Sequence, residues 1–174
     1  MPKEVNLTKA AKYYQIGPTP IRDVVETELR TTKGLILHGG QAINAQLPDH
    51  LDRHTEDWDI VAESNAKAIA ARIEAALDAR YEENFFEVRP SRHPGTYRVI
   101  NRVTKQPVVD ITIRDEEIPI VQGLDGINYA TLDHHARKCR EILADPNKKF
   151  RWPKDSETLQ RIEIYKKEQR DNYA

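Results

Sequence analysis

Apolar residues recur along this chain in two periods, and their alternation lays out a sheet flanked by helices. Ile21, Val24, Val25 and Leu29 repeat at helical spacing, which predicts a helix from Ile21 to Arg30 after the break at Ile16-Gly17-Pro18-Thr19-Pro20. The first dozen residues carry no such pattern and read as loose. Gly34-Leu35-Ile36-Leu37-His38 is a short apolar run that predicts a buried strand ending at Gly39-Gly40, and Gln41 to Ala45 has helical character. Leu47 to His54, with Pro48, Asp49 and Asp52, reads as a loop. Asp57-Trp58-Asp59-Ile60-Val61-Ala62 then alternates as a strand does, so that Asp57 and Asp59 share one face and Trp58 and Ile60 the other.

Ser64 is a suitable N-cap for a helix over Ala66 to Ala79, where Ile69, Ile73, Ala76 and Leu77 form an apolar stripe. Strands are predicted over Asn84 to Val88, Thr96 to Arg102 and Pro107 to Arg114, the last two as a hairpin. Two helices close the chain, over Tyr129 to Leu143 and Ser156 to Gln169, with Asp145 to Lys154 as the loop between them. The pattern is that of an α/β (α+β) fold, a short mixed sheet flanked by helices with a helical, basic C-terminus. With 174 residues it suits one domain, its core over about 21–121 and its helical extension over about 128–170.

Composition narrows the class. Hydrophobic residues make up 39% and charged residues 32%, with a mean hydropathy of -0.73, so the chain buries a core and lacks the signature of disorder. No apolar run reaches the roughly 18 residues that span a bilayer, and the polar start at Met1-Pro2-Lys3-Glu4 has no apolar segment behind it, so a cytoplasmic protein without membrane contact is expected. The lone Cys139 excludes an internal disulfide and is expected to pack on a helix. His134 to Arg170 holds eleven Lys/Arg against six Asp/Glu, a local +5 in a chain whose total is -1. An acidic portion suited to metal and a basic portion suited to phosphate follow from that asymmetry.

The candidate chemistry starts from Asp110, a charge inside the β-branched run Val108-Val109-Asp110-Ile111-Thr112-Ile113, where desolvation costs several kcal/mol unless a cation or partner stabilises it. Asp57 and Asp59 on one strand face, with Asp110 from a neighbouring strand, make a minimal set of hard oxygens for a pair of divalent ions about 3.5 to 4 Å apart, as phosphoryl transfer uses. Gly39-Gly40 suits a strand-to-helix turn where backbone approaches a phosphate under a helix N-terminus.

His38-Gly39-Gly40, then Thr55-Glu56-Asp57-Trp58-Asp59-Ile60, then a strand bearing Asp110, resembles the polymerase-β-type nucleotidyltransferase superfamily, and in motif the viral poly(A) polymerase catalytic subunits. The resemblance spans roughly Gly34 to Arg114, about half the chain. It implies a metal-dependent transfer of a nucleoside monophosphate from a nucleoside triphosphate to a hydroxyl on an RNA 3′ end, a protein or a small molecule. It further implies that Gly39 and Gly40 hold the triphosphate, that Asp57 and Asp59 bind Mg²⁺ or Mn²⁺, that Asp110 helps deprotonate the attacking hydroxyl, and that Thr55 steadies the metal loop or a phosphate oxygen.

Other readings stand beside this one. Asp110 also suits the wet face of an alternating strand, and Trp58 and Ile60 suit a core more simply than a base-stacking role. His38 and His54 flank the site and read as hydrogen-bonded neighbours rather than ligands. Lys138 and Arg140, with Lys148, Lys149, Arg151 and Lys154, suit a triphosphate or RNA backbone, or a solvated helix face; Lys138 is placed with the nucleotide. Phe150 and Trp152 among those cations favour nucleic acid. Two alternatives to an enzyme are a non-catalytic NTP-binding partner in a complex of toxin-antitoxin type and a nucleic-acid-binding module that works through the basic C-terminus.

Overall fold

The computed structural model of the chain describes residues 7–173. Among the described residues, one mixed seven-stranded sheet is flanked by six α-helices. The strands are β1 (Ile36–His38), β2 (Trp58–Ala62), β3 (Phe86–Pro90), β4 (Thr96–Asn101), β5 (Pro107–Ile113), β6 (Ile120–Gln122) and β7 (Asn128–Ala130), ordered β3-β4-β5-β2-β1-β7-β6. The helices are α1 (Leu7–Ile16), α2 (Thr19–Thr31), α3 (Gly39–Gln46), α4 (Ala66–Tyr81), α5 (Leu132–Leu143) and α6 (Trp152–Asn172). Central β2 runs antiparallel to β1 and parallel to β5, while β1 runs parallel to β7. No described helix is long and apolar enough to cross a membrane.

The two-residue period of the strands sorts side chains to opposite faces. Trp58, Ile60 and Ala62 of β2 and Val109 and Ile111 of β5 are buried in one core with Val25 and Leu29 of α2 and Ile69, Ile73 and Leu77 of α4. Trp58 and Ile60 are therefore core residues, as their alternation implies. Asp59 and Asp110 are left on the other face. There α3, α5 and α6 build a smaller apolar cluster from Ile43, Leu47, Ala136 and Ile162 and leave a polar opening beside it.

Several boundaries differ from the sequence expectation. Leu7–Ile16 forms a helix where the chain reads as loose, while residues 1–6 lie outside the described part. Tyr13 stacks on Tyr81 of α4 at 5.4 Å, a tertiary contact that a periodicity scan does not contain. Helix α4 is entered through Asn65 in a left-handed conformation (φ 60°) with no side-chain cap, so Ser64 is not its N-cap. Asp57 precedes β2 instead of belonging to it.

The expected helix from Tyr129 begins only at Leu132, because Asn128 to Ala130 form β7. Tyr129 pairs with Leu37 of β1, and the Thr131 side chain caps α5 by accepting from the His134 N–H at 3.1 Å. Three-residue strands such as β6 and β7 are too short to show a period. The expected loop over Asp145 to Lys154 is largely helical: a 3₁₀ segment, Pro146–Arg151, leads directly into α6 at Trp152, with Pro153 in the first turn, where a missing N–H costs nothing. Cys139 is buried, its thiol 3.7 Å from Asp155 Oδ1, and burial pushes it up to about 11.

Candidate active site

Strand register builds the floor of the opening. His38 on β1 stands opposite Asp59 on β2, Asp59 opposite Asp110 on β5, and Asp110 opposite Arg98 on β4. Residues in register project to the same face, so these four side chains form one row across four strands. The next row on that face is Ile36, Val61, Thr112 and Thr96, with the two threonine hydroxyls 2.9 Å apart. Both rows contribute to an open cleft of about 860 Å³, walled by the start of α3, the segment from Arg53 to Asp57, and residues of α5 and α6.

Asp59 is largely enclosed, and its carboxyl is pushed up to about 6 by burial, then by the charges of Asp110 and Asp57. Lys154 and Arg151 counter this in part, which brings the basic segment preceding and opening α6 into electrostatic reach of the acidic row. The turn beneath Asp59 is built for a close approach. Gly39 has φ +73°, and a Cβ placed there would collide with Asp59 Oδ2. A Cβ on Gly40 would lie 3.0 Å from Thr55 Oγ1, so the second glycine makes room for Thr55. The Gln41 side-chain amide donates to the Thr55 carbonyl at 3.2 Å, tying that loop to α3.

The structure thus brings Gly39, Gly40, Thr55, Asp57, Asp59, Asp110 and Lys138 to one cleft. Their present engagements differ. Asp57 is exposed at the mouth. Asp110 accepts a bidentate pair of hydrogen bonds from Arg98, Nε to Oδ1 at 3.0 Å and Nη2 to Oδ2 at 3.1 Å. Among the described residues, no three His, Cys, Asp or Glu side chains are grouped closely enough to hold an ion as they stand. Lys138 is drawn to Glu116 at 2.6 Å, and Arg140 pairs with Glu163 at 3.5 Å. Lys154 lines the cleft and has no ion pair within 4.0 Å among the described residues, which makes it the better-placed cation. Trp152 donates from its indole N–H to the Ile142 carbonyl at 2.8 Å and so serves packing, whereas Phe150 is 81% exposed.

Two residues of the site carry no mark in the sequence. Arg98 is one, since only the β4–β5 register sets it against Asp110. His135 is the other: its Nε2 accepts the Gly39 N–H at 3.0 Å while Nδ1 donates to the Thr131 carbonyl at 2.8 Å. Those two bonds select the neutral Nδ1–H tautomer and hold the glycine turn from 96 residues away. Burial brings the His135 imidazole down to about 4, and His38 falls to about 4 through burial and then the proximity of His135 and His134. His54, by contrast, is exposed and pairs with Glu56 at 3.2 Å.

These shifts set the acid response of the fold. A histidine lowered from 6.5 to about 4 contributes stability above 6.5 and loses it as pH falls toward 4. Asp59, raised to about 6, acts in the opposite sense: its ionisation weakens the fold as pH rises through 6, and that loss is recovered on acidification. Two histidines against one carboxyl give an expected net loss of about 2 kcal/mol from pH 7 to pH 5. Urea midpoints at the two pH values check this, and a midpoint unchanged or higher at the lower pH would contradict it.

No protein-family model matches the chain, and no curated protein matches it. A solved structure does: the Megavirus polyadenylate synthase superimposes with a TM-score of 0.68 at 17% identity, over 87% of this chain. The chain shares the fold of that part of the viral protein. It spans about a third, 32%, of that protein's length.

Proposed function

We propose that the chain is a nucleotidyltransferase, which moves a nucleoside monophosphate from a nucleoside triphosphate to a hydroxyl acceptor. The observation that carries the reading is the register of Asp59 against Asp110 on adjacent parallel strands, with Asp59 close over a turn at Gly39 whose positive φ and tight contact favour a residue without Cβ. Similarity of fold to a polyadenylate synthase supports it.

The residues fit Mg²⁺ or Mn²⁺. The donors are hard carboxylate oxygens, and Asp59 has no cation or hydrogen-bond donor paired with it among the described residues, while burial, and then the charges of Asp110 and Asp57, push its carboxyl up to about 6. Asp57, Asp59 and, once parted from Arg98, Asp110 would hold the ions. Bound there, divalent ions would neutralise the triphosphate and favour ionisation of the acceptor hydroxyl. The chain's own groups do the rest. The N-terminus of α3 lines the cleft, where its positive end would favour an anion, although its first amide, at Gly39, is given to His135. Lys154 offers cationic charge to the phosphates from α6, while Arg151 beside it is held by Asp155 at 3.2 Å. His135 keeps the turn in place.

The test is pyrophosphate release from each of the four NTPs with Mg²⁺ or Mn²⁺ over RNA, DNA and protein acceptors, comparing the native chain with Asp57→Asn/Asp59→Asn. A metal-dependent product, reduced about a thousandfold or more in the double variant, is expected. Product formation that survives the double change would overturn the reading.

A second reading rests on Phe150, exposed among Lys148, Lys149 and Arg151. That surface suits single-stranded nucleic acid, with base stacking on the ring and phosphates on the cations. As a module without catalysis it would bind RNA in a salt-sensitive, metal-independent way that the double variant leaves intact.

A further inference from the structure

Arg98 holds both oxygens of Asp110 from the neighbouring strand, in the fork geometry that makes guanidinium–carboxylate pairs strong. The pair is partly shielded, with side-chain exposures of 36% and 24%, so water screens it less than the peripheral ion pairs. It stands in the row that contains Asp59, whose own carboxyl has no such partner among the described residues. A guanidinium is always charged and cannot give up a proton to make way for a second cation. A divalent ion that takes Asp110 therefore meets a fixed positive charge on the same carboxylate.

We propose that Arg98 is a built-in counter-ion of the site, which occupies Asp110 in the metal-free chain and must turn away from it before a divalent ion is held there. This rests on the nucleotidyltransferase reading for the identity of the site. The consequence is a competition: the affinity for the ion is reduced by the fraction of molecules in which Asp110 is free. Arg98 also lines the cleft, so once released its donors face the space in which a phosphate would lie. The same contact stabilises the metal-free fold, because without it Asp110 and Asp59 face one another uncompensated. Loading with metal and release of Arg98 are then two sides of one equilibrium.

The experiment measures Mn²⁺ binding by electron paramagnetic resonance, and thermal unfolding with and without Mn²⁺, for the native chain, Arg98→Gln and Arg98→Lys. Arg80→Gln serves as control, since Arg80 pairs with Asp23 between α4 and α2, on the other face of the sheet from the cleft. Arg98→Gln is expected to bind Mn²⁺ about tenfold more tightly than the native chain. It should also unfold at a lower temperature without metal and recover with it. Arg98→Lys, which keeps the charge but loses the fork, is expected to fall between, and it carries the comparison if the glutamine variant does not fold. Arg80→Gln is expected to match the native chain. Equal Mn²⁺ affinity in the native and Arg98 variants would overturn the counter-ion and leave the divalent site standing. Absence of Mn²⁺ binding in all of them would overturn both.

Discussion

Asp59→Asn is expected to end nucleotidyl transfer and, at the same time, to make the metal-free chain harder to unfold. Burial and the charges of Asp110 and Asp57 hold the native carboxyl at about 6, so near neutral pH the fold carries an ionised group in surroundings that favour the protonated form. Asparagine has the same shape without the charge. Relief of that ionisation contributes about 2 kcal/mol above pH 7, and the gain should vanish below about pH 4, where the native carboxyl is protonated in folded and unfolded chains alike. Loss of the central carboxylate should reduce turnover about a thousandfold or more. Urea unfolding in chelator at two pH values, alongside the product assay, reads both effects. An aspartate that merely braces the fold would lose stability on this change. A lower urea midpoint for Asp59→Asn would therefore sink the account of a carboxylate kept at a cost for chemistry.

Gly39→Ala should damage both stability and site, whereas Gly40→Ala should be mild. At Gly39 the backbone is left-handed, φ +73°, which costs a residue with a side chain about 1–2 kcal/mol. The added methyl would collide with Asp59 Oδ2, and overpacking of that kind costs about 1–3 kcal/mol more. The sum is about 3 kcal/mol, with Asp59 displaced from its place beside Asp110. Gly40 has no positive φ, and its methyl would meet Thr55 Oγ1 at 3.0 Å, a tight contact that a small loop shift relieves for about 1 kcal/mol. Denaturant midpoints and Mn²⁺ affinities for the two variants test the contrast. Equal losses at both positions would mean that the turn, and not the carboxylate above it, sets the requirement for glycine.

The legible part of this protein is the part that local spacing encodes. An apolar run closed by Gly39-Gly40, an alternation that sets Asp57 and Asp59 on one face with Trp58 and Ile60 on the other, and a lone charge at Asp110 in a β-branched strand are all properties of neighbouring residues. Local order is enough to specify them. The long elements α2, α4, β4 and β5 were legible for the same reason, as each spans enough residues to show a period.

What only the tertiary structure decided is which of these pieces meet. Strand register, not composition, sets Asp59 against Asp110 and puts Arg98 on the latter. Chain folding brings His135 under Gly39 from 96 residues away, and brings to the cleft both Lys138, held by Glu116, and Lys154, which has no ion pair among the described residues. Short elements were lost to the sequence as well: β7 exists because Tyr129 finds Leu37 of β1, and α1 because Tyr13 finds Tyr81. The physical reason is common to all of them. Hydrogen bonds and charge pairs between distant segments depend on where the core places the strands, and that placement is a sum over the whole chain which no local window contains.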